Sequence, residues 1–160
     1  MCCTGDGLAG GLELVNACDI VIASEEARLG DQHANFGLIP GGGNTQLLPR
    51  IVGSRKAKEI LLTGDWLSSA EAERIGLVNK VVPADKLEEA VNEMVDKVTK
   101  NKSPLAAKRI KDLVNKGMQV DLHSGWELET QNFLNHFRSE DMAEGIRAFK
   151  EKRPPVFEGR

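Results

Sequence analysis

Two glycine-rich segments carry the residues best suited to chemistry in this chain. The first is Gly5-Asp6-Gly7-Leu8-Ala9-Gly10-Gly11-Leu12-Glu13-Leu14, and the second is Gly37-Leu38-Ile39-Pro40-Gly41-Gly42-Gly43-Asn44-Thr45-Gln46. Each sets a glycine-rich turn directly ahead of a helical pattern. Backbone N–H groups left unpaired at a helix start can then approach a polarised oxygen with no side chain in the way. Only the first segment holds an acid there. Glu13 falls in the first turn of its helix, where the dipole favours a carboxylate beside those donors and within reach of a substrate. An ordinary solvated helix glutamate is the plainer alternative.

The elements that must position these residues follow from the apolar period, which divides the chain into an α/β front and an all-helical back. Met1 to Thr4 is expected to end a strand, Gly10 to Cys18 to form a short helix, and Asp19 to Ser24 a buried strand rich in β-branched residues. Ala27 to Gly30 adds a further strand. Asn44 is expected to cap a helix running to Val52 and stopped by Gly53, and Ser54 to cap the next, which ends at Gly64. Ser68-Ser69-Ala70-Glu71 has the form of a capping box for a short helix closed by Gly76, and Leu77 to Val82 reads as a strand.

In the back half, Leu87, Ala90, Val91, Met94, Val95 and Val98 recur at three- and four-residue steps and define a helix with one apolar stripe. Ser103-Pro104 opens another helix, closed by Gly117. A long helix carrying Trp126, Phe133 and Phe137 comes next, and a last one from Ser139 to Lys152 is stopped by Pro154-Pro155. The expected division is an α/β core over 1–82 and a helical region over 83–160.

Composition narrows the function classes. The 160 residues, 41% hydrophobic and 28% charged, are enough for a sizeable buried core. A net charge of −3 with scattered basic residues offers no footprint for nucleic acid or an anionic membrane. No apolar run reaches the length of a membrane span, and no charged-then-apolar leader opens the chain, so the expectation is a cytoplasmic protein. Cys2, Cys3 and Cys18 read as reduced thiols rather than a disulfide framework, and three widely spaced histidines leave no metal site in view.

Gly5-Asp6-Gly7-Leu8-Ala9-Gly10 is also a literal G-x-G-x-x-G, with Glu25 and Glu26 after the next strand, which admits a dinucleotide-binding module. Against it, the helix after the glycines is too short for the usual crossover, because Asp19 already opens the next strand. A glycine-rich turn with no ligand is the remaining reading.

The residues around these glycines resemble the crotonase superfamily, the enoyl-CoA hydratases and isomerases. Gly10-Gly11-Leu12-Glu13-Leu14 followed by Cys18-Asp19-Ile20 is similar to that family's G-G-x-E-L…C-D segment, with Ala9 where a further glycine is usual. Ala27-Arg28-Leu29-Gly30, Gly37-Leu38-Ile39-Pro40-Gly41, Leu62-Thr63-Gly64 and Ala72-Glu73-Arg74-Ile75-Gly76-Leu77-Val78 follow in the family's order and spacing. Glu144 to Phe149, with Glu151-Lys152-Arg153, completes the match.

The resemblance implies an α/β fold, a spiral of β-β-α turns followed by a C-terminal helical trimerisation region. It also implies a homotrimer or dimer of trimers, and a substrate that is an acyl-CoA thioester with coenzyme A as part of it and no separate cofactor. Enoyl-CoA hydratase or 3-hydroxyacyl-CoA dehydratase activity is the leading expectation. By the same register Gly10 supplies an oxyanion-hole N–H, Glu13 is one of two acid/base carboxylates, and Gly41 lines the pocket. Phe133 and Lys152 fall at a coenzyme A nucleotide contact, where an aromatic face and a cation suit adenine and phosphates. Core packing for Phe133 and a solvated helix end for Lys152 are the plainer roles.

The pattern departs at one place, for the family's usual Gln-Pro-Glu is here Asp31-Gln32-His33. An imidazole can take over proton transfer from the missing carboxylate, and Asp31 could orient it if both side chains lie on one side of an extended segment. His33 in an isomerase or hydrolase is one alternative, and a structural histidine another. Family subunits also carry a large β-rich portion ahead of the first glycine turn, which supplies the second oxyanion donor and much of the coenzyme A grip. These residues are therefore expected to be the C-terminal portion of such a subunit, with a non-catalytic or truncated subunit that keeps the oligomer surface as the alternative.

Overall fold

A computed structural model describes residues 1–160 as two compact units, Met1–Glu93 and Met94–Arg160. The first is α/β. Its strands are short: β1 (Cys2–Cys3), β2 (Gly7–Leu8), β3 (Ile22–Ser24), β4 (Arg28–Gly30), β5 (Leu67–Ser68) and β6 (Lys80–Val82). They form two three-stranded sheets, β1-β3-β6 and β2-β4-β5. The first is wholly parallel, and the second pairs β2 with β4 in parallel and β4 with β5 antiparallel.

Four helices belong to this unit alone: α1 (Gly10–Asn16), α2 (Asn44–Val52), α3 (Ser54–Thr63) and α4 (Ser69–Arg74). Their apolar faces close over the sheets. Leu12, Leu29 and Leu48 are fully buried, with Val15, Ala23, Ala27, Ala57, Ile60, Ala72, Leu77 and Val78 packed in the same cluster. Each fully buried leucine contributes about 1.5–3 kcal/mol by leaving water, so this core, rather than the two- and three-residue strands, holds the unit together.

Several expected boundaries shift, each for a visible reason. The strand expected from Asp19 is confined to Ile22–Ser24, because the Val21 N–H donates to the Asn79 side chain and pairing with β1 and β6 begins at Ile22. Leu77–Asn79 turns instead of pairing, with the Leu77 and Val78 N–H groups both donating to the Ala72 carbonyl, so the strand starts at Lys80. Ser54 is the first residue of α3 rather than its cap, and Gly53 takes the cap position at a φ of 82°. Asn44 likewise lies inside α2, and Gly43 stands ahead of it at a φ of 108°, a left-handed conformation that costs glycine little. Ser68 does cap α4, accepting the Glu71 N–H, but the Glu71 carboxylate turns outward to Arg74 and Lys56 instead of closing the box.

Helix α5 (Leu87–Thr99) carries the chain out of the first unit, burying Leu87 and Ala90 while Val95 and Val98 stay exposed. The second unit holds α6 (Pro104–Gly117), α7 (Leu122–His136) and α8 (Glu140–Glu151), and no strand. Ser103, Asp121 and Ser139 cap these three helices with their side-chain oxygens. α8 is stopped by Lys152 in the left-handed conformation, ahead of the prolines expected to end it.

The last residues are tied back by two acids of α8. Asp141 is buried, which pushes its carboxyl up, but the Ser103 hydroxyl at 2.5 Å and the N–H groups of Glu158 and Gly159 outweigh this and hold it below its ordinary value. The Arg153 guanidinium, together with the Val156 N–H, brings Glu144 down to about 2. No helix is long and apolar enough to cross a membrane.

Candidate active site

Helix α1 begins abruptly because Ala9 turns the chain. Its N–H donates to the Gly30 carbonyl at 3.1 Å, its carbonyl accepts the Glu13 N–H, and its φ of 47° is rare for a residue with a Cβ. Strain of this kind costs roughly 1–3 kcal/mol and persists where surrounding structure over-determines it. The consequence is that Gly10 and Gly11 open the helix with their N–H groups unpaired within it, and a Cβ built on either meets nothing within 4 Å. A substrate oxygen can approach this helix start directly.

Glu13 is fixed one turn further on. Its Oε1 accepts the Gly42 N–H at 2.6 Å, a charge-assisted bond that ties α1 to the turn before α2. Gly42 has to be glycine for this, because a Cβ there would stand 2.5 Å from Glu13 Cδ and 3.0 Å from Oε1. Gly41, the expected pocket residue, is exposed with open space around it, so its neighbour makes the bond.

His33 opens a short 3-10 turn, His33–Phe36, rather than lying on an extended segment. Its Nδ1 lies 2.7 Å from Asp31 Oδ1, and the same oxygen accepts the His33 backbone N–H at 3.1 Å. The Asp31 side chain is fully buried, whereas that of His33 is 16% exposed. The other Asp31 oxygen, Oδ2, accepts from Asn44 Nδ2 at 2.6 Å, and Asn44 Oδ1 accepts from Asn16 Nδ2 at 2.7 Å. Asn16 Oδ1 is buried without a partner.

Glu13 and Asn16 are three residues apart on one face of α1 and reach Gly42 and Asn44, two residues apart in the turn leading into α2. That turn thereby gathers the carboxylate and the Asp31–His33 pair. Gly42, Asn44 and Asn16 were missed from the sequence. A buried asparagine at a helix start looks like an exposed cap until its partners are known, and only the run of three glycines hinted at a close approach.

Phe133 and Lys152 belong to the second unit. Phe133 lies on α7, 56% exposed, with its ring centroid 5.9 Å from that of Phe137, and Lys152 is the exposed residue that ends α8. No group of three or more histidine, cysteine or acidic side chains is arranged to hold a metal ion.

Comparison with known proteins places the whole chain in one family. The family model for enoyl-CoA hydratase/isomerase matches residues 2–160. A short-chain-enoyl-CoA hydratase of Clostridium acetobutylicum is 41% identical over 149 residues, covering 93% of this chain and 57% of that protein. One from Clostridioides difficile is 43% identical over 141 residues, covering 88% of this chain and 90% of that protein. The crystal structure of an enoyl-CoA hydratase from Bacillus anthracis superposes with a TM-score of 0.94 at 42% identity, covering 97% of this chain and 60% of its own. The chain thus spans well under two thirds of the first and third of these. With its glycine turns, its helix-start glutamate and nearly every residue inside the match, the chain belongs to the enoyl-CoA hydratase/isomerase family.

Proposed function

We propose that these residues form the acid/base half of an acyl-CoA enzyme, an enoyl-CoA hydratase or 3-hydroxyacyl-CoA dehydratase in which Glu13 and His33 exchange the protons. The observation that carries this reading is the pair of anchored side chains around one turn: Glu13 on the Gly42 N–H and His33 on buried Asp31. In the hydration direction, the thioester oxygen takes the Gly10 N–H. Glu13 accepts a proton from water as the water oxygen bonds to the β-carbon, and the electron pair of the double bond moves toward the thioester oxygen as an enolate. His33 then delivers a proton to the α-carbon, and proton return from Glu13 to His33 through solvent resets the site.

The short-chain-enoyl-CoA hydratases among this chain's relatives support the substrate class. By the same family register the strands and helices build the crotonase spiral, and Gly41, Phe133 and Lys152 contact the substrate, the last two at its nucleotide end. Coenzyme A enters as part of the substrate, with no further cofactor. A homotrimer or dimer of trimers is supported by the apolar side chains exposed on the helical unit, Ile110, Leu122, Trp126, Phe137 and Phe149 among them. Three free cysteines suit a cytoplasmic setting in fatty acid metabolism. The Asp31–His33 pair also suits a water-activating base, so thioester hydrolysis is the second reading.

Product analysis of the full-length protein with enoyl-CoA and 3-hydroxyacyl-CoA thioesters separates these outcomes. Interconversion of the two supports the proposal, release of free coenzyme A thiol selects the hydrolase, and no turnover selects a non-catalytic subunit. Titration calorimetry on the same preparation is expected to give saturable acyl-CoA binding that weakens in Lys152→Ala. Binding of NAD in its place would restore the dinucleotide reading.

A further inference from the structure

We propose that Asn44 and Asn16 are positioning residues which act through Asp31 to hold His33 in its Nδ1–H form, leaving Nε2 as the atom that exchanges protons with the substrate. The inference rests on the reading of His33 as an acid/base group, and its geometry is independent of which acyl-CoA reaction takes place. Four side chains form one hydrogen-bonded line, Asn16 to Asn44 to Asp31 to His33, and three of them are taken out of water. Asp31 and Asn44 are 0% exposed, and Asn16 is 7% exposed.

The line runs in one direction because a carboxylate only accepts. Asp31 Oδ2 therefore requires Asn44 to present its NH2 group, which leaves Asn44 Oδ1 facing α1, where only the NH2 group of Asn16 satisfies it. At the other end, Asp31 Oδ1 already takes the His33 backbone N–H, and the ring nitrogen 2.7 Å away has to be the protonated one. The imidazole is left with Nε2 as the nitrogen that faces away from Asp31 and is free to take or give a proton.

Two features set this line apart from ordinary packing. Asn44 occupies the first turn of α2, where an asparagine normally serves the helix start, yet its side chain is fully buried and bonded to Asp31 and Asn16 instead. Asn16 keeps its Oδ1 buried with no partner, an arrangement that opposes stability. Apolar side chains of similar volume in place of a buried polar group are often neutral or stabilising, so stability alone gives no reason for this line. Without Asn44, the second Asp31 oxygen loses its donor and the carboxylate is free to turn away from the ring.

The test uses the full-length protein and reads the ring nitrogens of His33 directly by 15N NMR, with His33→Gln used to assign its signals among those of the other histidines. The expected result is a protonated, pyrrole-type Nδ1 and a pyridine-type Nε2 in the unaltered neutral protein, and a mixture of both forms in Asn44→Leu. Turnover of an acyl-CoA in Asn44→Leu is expected to fall by about 10–100-fold in kcat with KM unchanged, the usual size for losing the partner of an orienting group. Asn16→Leu, the milder change should Asn44→Leu fail to fold, is expected to move both readouts the same way by less. A pyridine-type Nδ1 in the unaltered protein overturns the proposal, as does an Asn44→Leu protein that keeps the Nδ1–H form and full kcat. If the nitrogen signals behave as expected but no acyl-CoA is turned over, the positioning stands and the acid/base reading of the site falls.

Discussion

Replacing His33 by alanine in the full-length protein is expected to lower acyl-CoA turnover by about 10²–10⁴ while leaving substrate affinity nearly intact. A proton moved by a positioned side chain is transferred only in the transition state, so its loss falls on kcat, and general acid/base groups are worth a factor of this size. His33 is partly exposed and bonded to buried Asp31, so alanine removes the ring and leaves the surrounding core in place. His33→Glu is the informative companion. It restores the family's usual acid at this position, but next to Asp31 it sets two carboxylates side by side, which raises the pKa of one of them. Hydration is therefore expected to return in part, because a carboxyl group kept protonated beside Asp31 can again deliver a proton to the α-carbon. Steady-state kinetics across pH reads both effects, and a His33→Ala protein with an unaltered kcat would reduce the histidine to a structural part.

Gly42→Ala is expected to lower kcat by about 10²-fold with little change in melting temperature. The added methyl would fall 2.5 Å from Glu13 Cδ, closer than real Cβ contacts occur, so the carboxylate has to swing away and give up its bond to the Gly42 N–H. Displacing a reacting group by about 1 Å is enough to cost a factor of this order. Stability is spared because Gly42 is exposed and its backbone is outside the left-handed region that alanine resists. Glu13→Gln tests the same group from the other side. It keeps the shape and the bond to Gly42 but removes the base, and kcat is expected to drop by roughly 10²–10⁴. If Gly42→Ala and Glu13→Gln both turn over substrate at the original rate, Glu13 is an ordinary helix residue. If only Gly42→Ala does, the glycine has no part in aligning it.

What could be read from the sequence differs between elements for physical reasons. In the helical back half the helices opened at Ser103-Pro104 and Ser139 were legible nearly to the residue, because these are local signals whose partners lie in the same turn, whereas the helix expected to carry Phe137 ends at His136. Four strands were legible as segments but not in length, since pairing at Ile22 and Lys80 depends on neighbours far away in the chain, and β2 and β5, two residues each, were not anticipated. Glu13 and His33 stood out through the resemblance and the chemistry of their side chains. Asp31 beside His33 was anticipated for an extended segment, and a 3-10 turn makes the contact instead. Asn44 was misread as a cap because a lone sequence cannot reveal that Asp31 and Asn16 converge on its amide from separate elements. The same limit hid Gly42, whose need to be glycine comes from a carboxylate 29 positions earlier in the chain.

The acid/base pair is tested most directly by following the α-carbon of the substrate. Full-length protein incubated with an enoyl-CoA in deuterium oxide is expected to yield 3-hydroxyacyl-CoA carrying one deuterium at the α-carbon, detected by mass spectrometry. His33→Ala is expected to install it at least about 10²-fold more slowly. Recovery of the thioester unhydrated and unlabelled from the unaltered protein, or labelling by His33→Ala at the original rate, would contradict the assignment of Glu13 and His33 as the groups that move the protons.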